Sequence, residues 1–291
     1  MNTKAQYIPL FSQYLSNGLV LNPAYAGSRD VLSLSFIYRD EWAGFSGAPI
    51  YETFSAHAPL KNDNEGVGFL FLNEKIGIEQ NSQAYFNYSY RIMFNNLRLA
   101  LGIKAGLDYF NFNWNNVYTN EPDKAFTSAT NYFLFPNFGA GFYLYSDRYF
   151  LGGSIPYFLS YKSKASGGGY EFYNDYREYN YLIFGGYLFD FAKNFKIKPT
   201  TLIKYCPLYQ EQVDLNINFI FLNDKLWFGA AYRINQAVAG IVELQVNPQL
   251  RIGYSFDYPE NNIPQFKYNS HEISLRYEFS YKIKAYNPRY F

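Results

Sequence analysis

The sequence predicts an all-β fold: a closed antiparallel transmembrane β-barrel of about 14 strands, with short periplasmic turns and longer extracellular loops. The first observation behind this is the stretch 97–109. Its residues separate by parity into Leu97, Leu99, Leu101, Ile103, Ala105, Leu107 and Tyr109 against Arg98, Ala100, Gly102, Lys104, Gly106 and Asp108. Such alternation makes a strand with one oily and one wet face. Strands of soluble domains usually last about 5–6 residues; this one is about twice that, the length a tilted strand needs to cross a bilayer. The second observation is that the pattern recurs. The third is an aromatic content of 22% in 291 residues, with 32 Tyr and 29 Phe, which barrels concentrate at the two membrane interfaces.

Along the chain, strands are expected at 32–38, 53–58, 67–72, 83–92, 97–109, 138–145, 149–155, 182–188, 195–205, 212–221, 226–233, 238–246, 250–258 and 272–281. The alternation is clearest in 97–109 and in three later segments. Val213, Leu215, Ile217, Phe219 and Phe221 oppose Gln212, Asp214, Asn216, Asn218 and Ile220; Leu250, Ile252, Tyr254, Phe256 and Tyr258 oppose Arg251, Gly253, Ser255 and Asp257. Ile273, Leu275, Tyr277, Phe279 and Tyr281 oppose Glu272, Ser274, Arg276, Glu278 and Ser280. The total is even, as bacterial barrels prefer.

No apolar run approaches the roughly 18 residues of a spanning helix. Strands placed in lipid must close on themselves, because the backbone finds no partner there. A net charge of +1 without a basic tract argues against nucleic acid. Cys206 stands alone, permits no internal disulfide and reads as a small residue near a strand end.

The connections set the orientation. One group is short and polar: 62–64, 95–96, 146–147, 193–194, 223–224 and 247–248. The other includes long polar stretches at 111–136 and 161–177 and a shorter one at 259–267. Short turns belong to the periplasm and long loops to the outside, so both termini are expected in the periplasm. An export signal is expected to precede the chain, with Thr3 and Ala5 standing where small residues flank a cut before Gln6.

The first thirty residues are not strand-like, and they carry a specific signature. Gln13-Tyr14, then Leu21-Asn22-Pro23-Ala24-Tyr25-Ala26-Gly27, then Arg39-Asp40-Glu41-Trp42-Ala43-Gly44-Phe45-Ser46-Gly47-Ala48-Pro49 resemble the N-terminal pattern of the PorP/SprF family, outer-membrane proteins of the type IX secretion and gliding system of Bacteroidota. The ending Pro288-Arg289-Tyr290-Phe291 resembles the family's as well. Glu41, where the family often has Gln or Lys, and Ala43, where it has a larger aliphatic, are small departures. The resemblance implies a non-enzymatic role: secretion or surface anchoring of a cargo protein such as an adhesin through its C-terminal domain, with periplasmic or outer-membrane components of the system as further partners. It implies no cofactor.

The residues divide the chain into an N-terminal periplasmic segment at 1–30, a barrel at 31–283 and a periplasmic tail at 284–291. In the first of these, Asn22 caps, Pro23 fixes φ, Ala24 and Tyr25 follow, and Gly27 supplies a conformation other residues avoid. The plainer reading has this segment pack the lower rim; the functional one makes it a plug or a docking peptide. Trp42 lies in the first outer loop. Tyr170, Phe172 and Tyr173 are exposed loop aromatics of the type that dominate interfaces, joined by Tyr118, Phe126 and Tyr176. These residues are the candidate partner contacts.

Catalysis would need a triad on the outer wall, yet the histidines are only His57 and His271, and His57 with Ser55 points inward by parity. Two histidines and one cysteine at distant positions have no metal-ligand spacing. A passive or substrate-specific porin is the competing reading. Its lining would be Arg39, Arg91, Arg98, Lys104, Lys196, Lys198, Lys204, Arg233, Arg251 and Arg276 beside Asp108, Asp214, Glu243, Asp257, Glu272 and Glu278, charges that line a channel or tie it shut. Lumen-facing positions such as Gly102 and Asn216 are expected to tolerate a large side chain far better than lipid-facing ones.

Overall fold

The structure is a computed structural model that describes residues 9, 11–61, 63–113, 131–163, 170–209, 211–260 and 268–279. Its strands are β1 (Leu32–Asp40), β2 (Ile50–Pro59), β3 (Glu65–Ile76), β4 (Glu79–Phe94), β5 (Leu97–Phe112), β6 (Asn131–Tyr145), β7 (Tyr149–Ile155), β8 (Ser160–Ser163) and β9 (Tyr170–Tyr173). They continue with β10 (Tyr181–Tyr187), β11 (Phe189–Ala192), β12 (Phe195–Tyr205), β13 (Gln212–Phe221), β14 (Leu226–Arg233), β15 (Ala237–Gln245), β16 (Leu250–Pro259) and β17 (Ser270–Phe279).

Neighbours pair antiparallel in the order β10-β7-β6-β5-β4-β3-β2-β1-β17-β16-β15-β14-β13-β12, and β10 pairs with β12 to close the ring. β11 continues the line of β10 along β12 after a break at Leu188, so the two act as one interrupted strand and the wall has 14 strands. β8 and β9 form a separate hairpin.

The faces follow the parity of the sequence. Leu101, Ile103, Leu107 and Leu275 are exposed on the outer wall, whereas Ala100, Lys104, Asp108, Asp214, Asn216 and Arg276 are buried inside. Every expected strand is present, and 149–155, 195–205, 212–221 and 226–233 have the expected bounds. The others differ at their ends. β5 runs on to Phe112 and β6 begins at Asn131, so strand replaces both flanks of the polar loop expected at 111–136. The reason is that Phe110 and Phe135 fill the inner face while Tyr132 and Leu134 cover the outer one. With aromatics on both faces the parity is hidden, and Pro136 reads as a breaker although it sits in register with Leu107.

The second expected loop, 161–177, carries the β8–β9 hairpin, crossed by a Lys162–Glu171 ion pair at 2.9 Å. Four-residue strands are too short to declare a period. Residues 114–130, with Tyr118 and Phe126, residues 164–169 and 261–267, and the tail expected at 284–291 lie outside the described residues.

Candidate functional site

The chain fills its own barrel. From Phe11 to Asp30 it runs through the lumen, starting beside Tyr51, Arg39, Asp257 and Glu272 at the end of the long connections. It finishes beside Arg91, Arg98 and Glu278 at the short turns. Residues 11–30 are therefore part of the barrel interior, not a separate segment beneath the rim. The described path of this segment begins with Phe11 at the long-connection end, while β17 reaches the short-turn end at Phe279.

Three sets of contacts hold this plug. At the top, the Ser12 hydroxyl donates to Asp257 at 2.6 Å, and the backbone N–H groups of Ser12 and Gln13 donate to the Glu272 carboxylate at 2.9 and 2.8 Å. Arg39 donates to both carboxylates, at 2.8 Å to Asp257 and 3.1 Å to Glu272. Two buried carboxylates so close together need that shared cation. In the middle, Tyr14 bonds Thr200, and Asn17 is held by Thr53 and Ser55. Leu19, Val20, Leu21, Ala24 and Tyr25 join Ile37, Leu70, Tyr85, Ala100 and Tyr143 of the wall in one apolar core.

At the bottom, the Asn22 side chain accepts from the Ala24 N–H at 2.9 Å, capping the 3-10 turn Pro23–Tyr25, and donates to the Phe142 carbonyl at 2.7 Å. Asn22 thus closes its own turn and tethers it to β6. Tyr25 lies edge-on to His57 and near Tyr143. Gly27 takes φ +72°, its N–H donates to His57 Nδ1 and its carbonyl accepts from Arg91. Asp30 pairs with Arg91 and Arg98, and Arg29 with Glu278 at 2.6 Å.

The wall is shaped to receive this segment. A Cβ at Gly102 would stand 2.1 Å from the Ala24 nitrogen, at Gly66 2.2 Å from the Ala26 carbonyl oxygen, at Gly141 2.3 Å from Asn22 Oδ1, and at Gly253 2.1 Å from Gln13 Oε1. These glycines let the plug approach the strand backbone, a role the sequence signals only at Gly102 and Gly253, as glycines on the inward parity. The expected tolerance at Gly102 is accordingly overturned, because that position faces packed backbone and not water.

The chain after β7 turns inward as a second filler. Tyr157 donates to Gln83 at 2.7 Å, and Asn137 accepts from the N–H groups of Phe158 and Leu159. The Lys104 ammonium lies 4.2 Å from the Tyr85 ring centre and 4.0 Å from that of Tyr157, a cation–π arrangement that compensates its burial. Other lumenal charges pair across the wall, among them Arg233 with Asp214 and Arg251 with Glu243, both at 3.3 Å.

Of the expected partner-contact residues, Asn22, Pro23, Ala24, Tyr25 and Gly27 sit inside the barrel. Trp42 is exposed at the long-connection rim. Its N–H donates to Ser270 and that of Ala43 to the Asn269 carbonyl, which ties this loop to the start of β17. Phe45 packs on Tyr268 at 5.4 Å between ring centres. Phe172 is 58% exposed on β9; Tyr173 donates to Glu178 at 2.7 Å, and burial together with this bond holds its hydroxyl above the usual phenolic range. Tyr170 belongs to β9 by its backbone, and its side chain lies outside the described residues. The site thus has two parts: a buried plug and an aromatic rim.

Residues 3–277 match the family described as Type IX secretion system membrane protein PorP/SprF. No curated protein matches the chain. Among solved structures, the Ralstonia pickettii toluene transporter TbuX is similar at TM-score 0.56 and 8% identity, over 91% of this chain and 94% of that one. The P. putida toluene transporter TodX follows at TM-score 0.52 and 12% identity, over 91% and 95%. At those identities the likeness is one of fold.

Proposed function

Because this chain belongs to the PorP/SprF family of type IX secretion system membrane proteins, we propose that it supports the secretion or surface anchoring of a cargo protein such as an adhesin, held by the cargo's C-terminal domain. The barrel is an outer-membrane one, and lipid surrounds its wall. Other components of the secretion system are its further partners. The observation that carries this reading is the plug: with Leu19, Ala24 and Ala26 no more than 1% exposed in the lumen, the interior is built as a core and not as a conduit. Contact with a partner is left to the rim, where Trp42, Phe45, Phe172 and Tyr176 are exposed, and aromatic groups of this kind anchor interfaces.

The reading includes no enzymatic step. Ser55 and His57, the pair that parity brings together, both bond the plug, to Asn17 and Gly27 respectively. Affinity purification from the native envelope with mass spectrometry of the bound proteins tests the proposal. A secreted type IX cargo is expected in the eluate. A barrel purified without partners that conducts ions steadily in a planar bilayer overturns the proposal in favour of a porin.

A further inference from the structure

Near the short-turn end, the described residues of the lumen carry more positive than negative charge. Arg251 and Arg276 stand directly opposite each other across β16 and β17, both buried on the inner face. Like charges in that relation repel. Arg29 of the plug reaches the same place: it and Arg276 share one oxygen of Glu278, at 2.6 and 3.4 Å. Arg251 bonds Glu243 at 3.3 Å and lies 4.2 Å from the Trp227 ring centre, and Lys198 lies 4.5 Å from the same ring. Among the described residues, the three buried guanidinium groups of Arg29, Arg251 and Arg276 thus share the two carboxylates of Glu243 and Glu278, with Lys198 beside them. A buried excess of charge is costly without a counter-ion.

A second observation points to the same spot. Ser33 is fully buried, its hydroxyl has no hydrogen-bond partner, and β1 places it directly beside Glu278 of β17 and His57 of β2. A buried hydroxyl left unsatisfied calls for a partner.

We propose that this cluster of Arg29, Arg251, Arg276 and Lys198 with the Ser33 hydroxyl binds one small oxyanion of the phosphate class, which seats the plug by bridging Arg29 to the wall. Guanidinium groups present paired N–H donors that match such an anion. Free phosphate is the source, because the cluster faces the lumen and not lipid.

The test is equilibrium dialysis of the folded, purified barrel against labelled inorganic phosphate at constant ionic strength. One saturable phosphate per barrel, displaced by sulfate, is expected. Arg276→Gln should bind about tenfold more weakly, as loss of one charge-assisted contact implies, while still migrating as a folded, heat-modifiable band. Lys198→Met provides the same comparison if Arg276→Gln does not fold. Arg148→Gln, at an exposed position on the short-turn rim, should bind like the parent. Absence of saturable binding, equal binding in all variants, or binding of phosphatidylglycerol micelles without free phosphate would each overturn the proposal.

Discussion

Gly102 of β5 and Ala24 of the plug are in backbone contact: a Cβ on the glycine would stand 2.1 Å from the Ala24 nitrogen. Gly102→Ala should therefore lift the plug from the wall and cost about 1–3 kcal/mol, the range for overpacking. Gly240 faces outward with nothing within 4 Å of its Cβ, and Gly240→Ala should stay within about 0.5 kcal/mol of the parent. Urea unfolding followed by heat-modifiability measures both. Equal effects would mean that the plug does not seat against β5.

The outer wall gives a contrasting prediction. Leu101→Arg and Leu275→Arg place a charge against lipid and should destabilise the barrel by roughly 2–4 kcal/mol if they lie near the midplane. The same assay on Asn216→Arg, which projects into the lumen, reports repacking of the interior instead.

Arg39 holds Asp257 and Glu272 together above the plug. Arg39→Ala leaves both carboxylates buried without their cation, and the expected loss is about 3–5 kcal/mol. Arg39→Ala combined with Asp257→Asn and Glu272→Gln should recover part of that loss. No recovery would show that Arg39 acts through packing alone.

Sidedness is read by cysteine labelling with a membrane-impermeant thiol reagent on intact cells, after Cys206→Ser. Asn95→Cys, Asp147→Cys and Asn223→Cys in the short turns should be protected. Ser46→Cys and Phe172→Cys at the other end should react. The reverse pattern would invert the barrel.

Much of the fold was legible because a wall between lipid and lumen imposes a period of two, and Leu97 to Tyr109 displays it almost without interruption. The local form of the plug was legible too, in Asn22 as a cap, Pro23 at the first turn position and Gly27 at positive φ. Its destination was not. Nothing in 11–21 says which surface Leu19 or Ser12 will meet, since those contacts lie more than two hundred residues away in sequence for Ser12 and Glu272. Strand extensions around Phe110 and Phe135 escaped because both faces are aromatic. The glycines at 102 and 253 were visible as inward small residues and those at 66 and 141 were not, but only the arrival of the plug gives the four a purpose.

Cargo retention on intact cells tests whether the plugged barrel holds its partner by the rim. The variant combines Trp42→Ser, Phe172→Ser and Tyr173→Ser, with heat-modifiability as the control for folding. Cargo should be lost from the cell surface while the folded band persists. Normal retention by this variant, with cargo lost only when the segment from Gln13 to Tyr25 is altered in a barrel that still folds, would contradict this and place recognition in the plug.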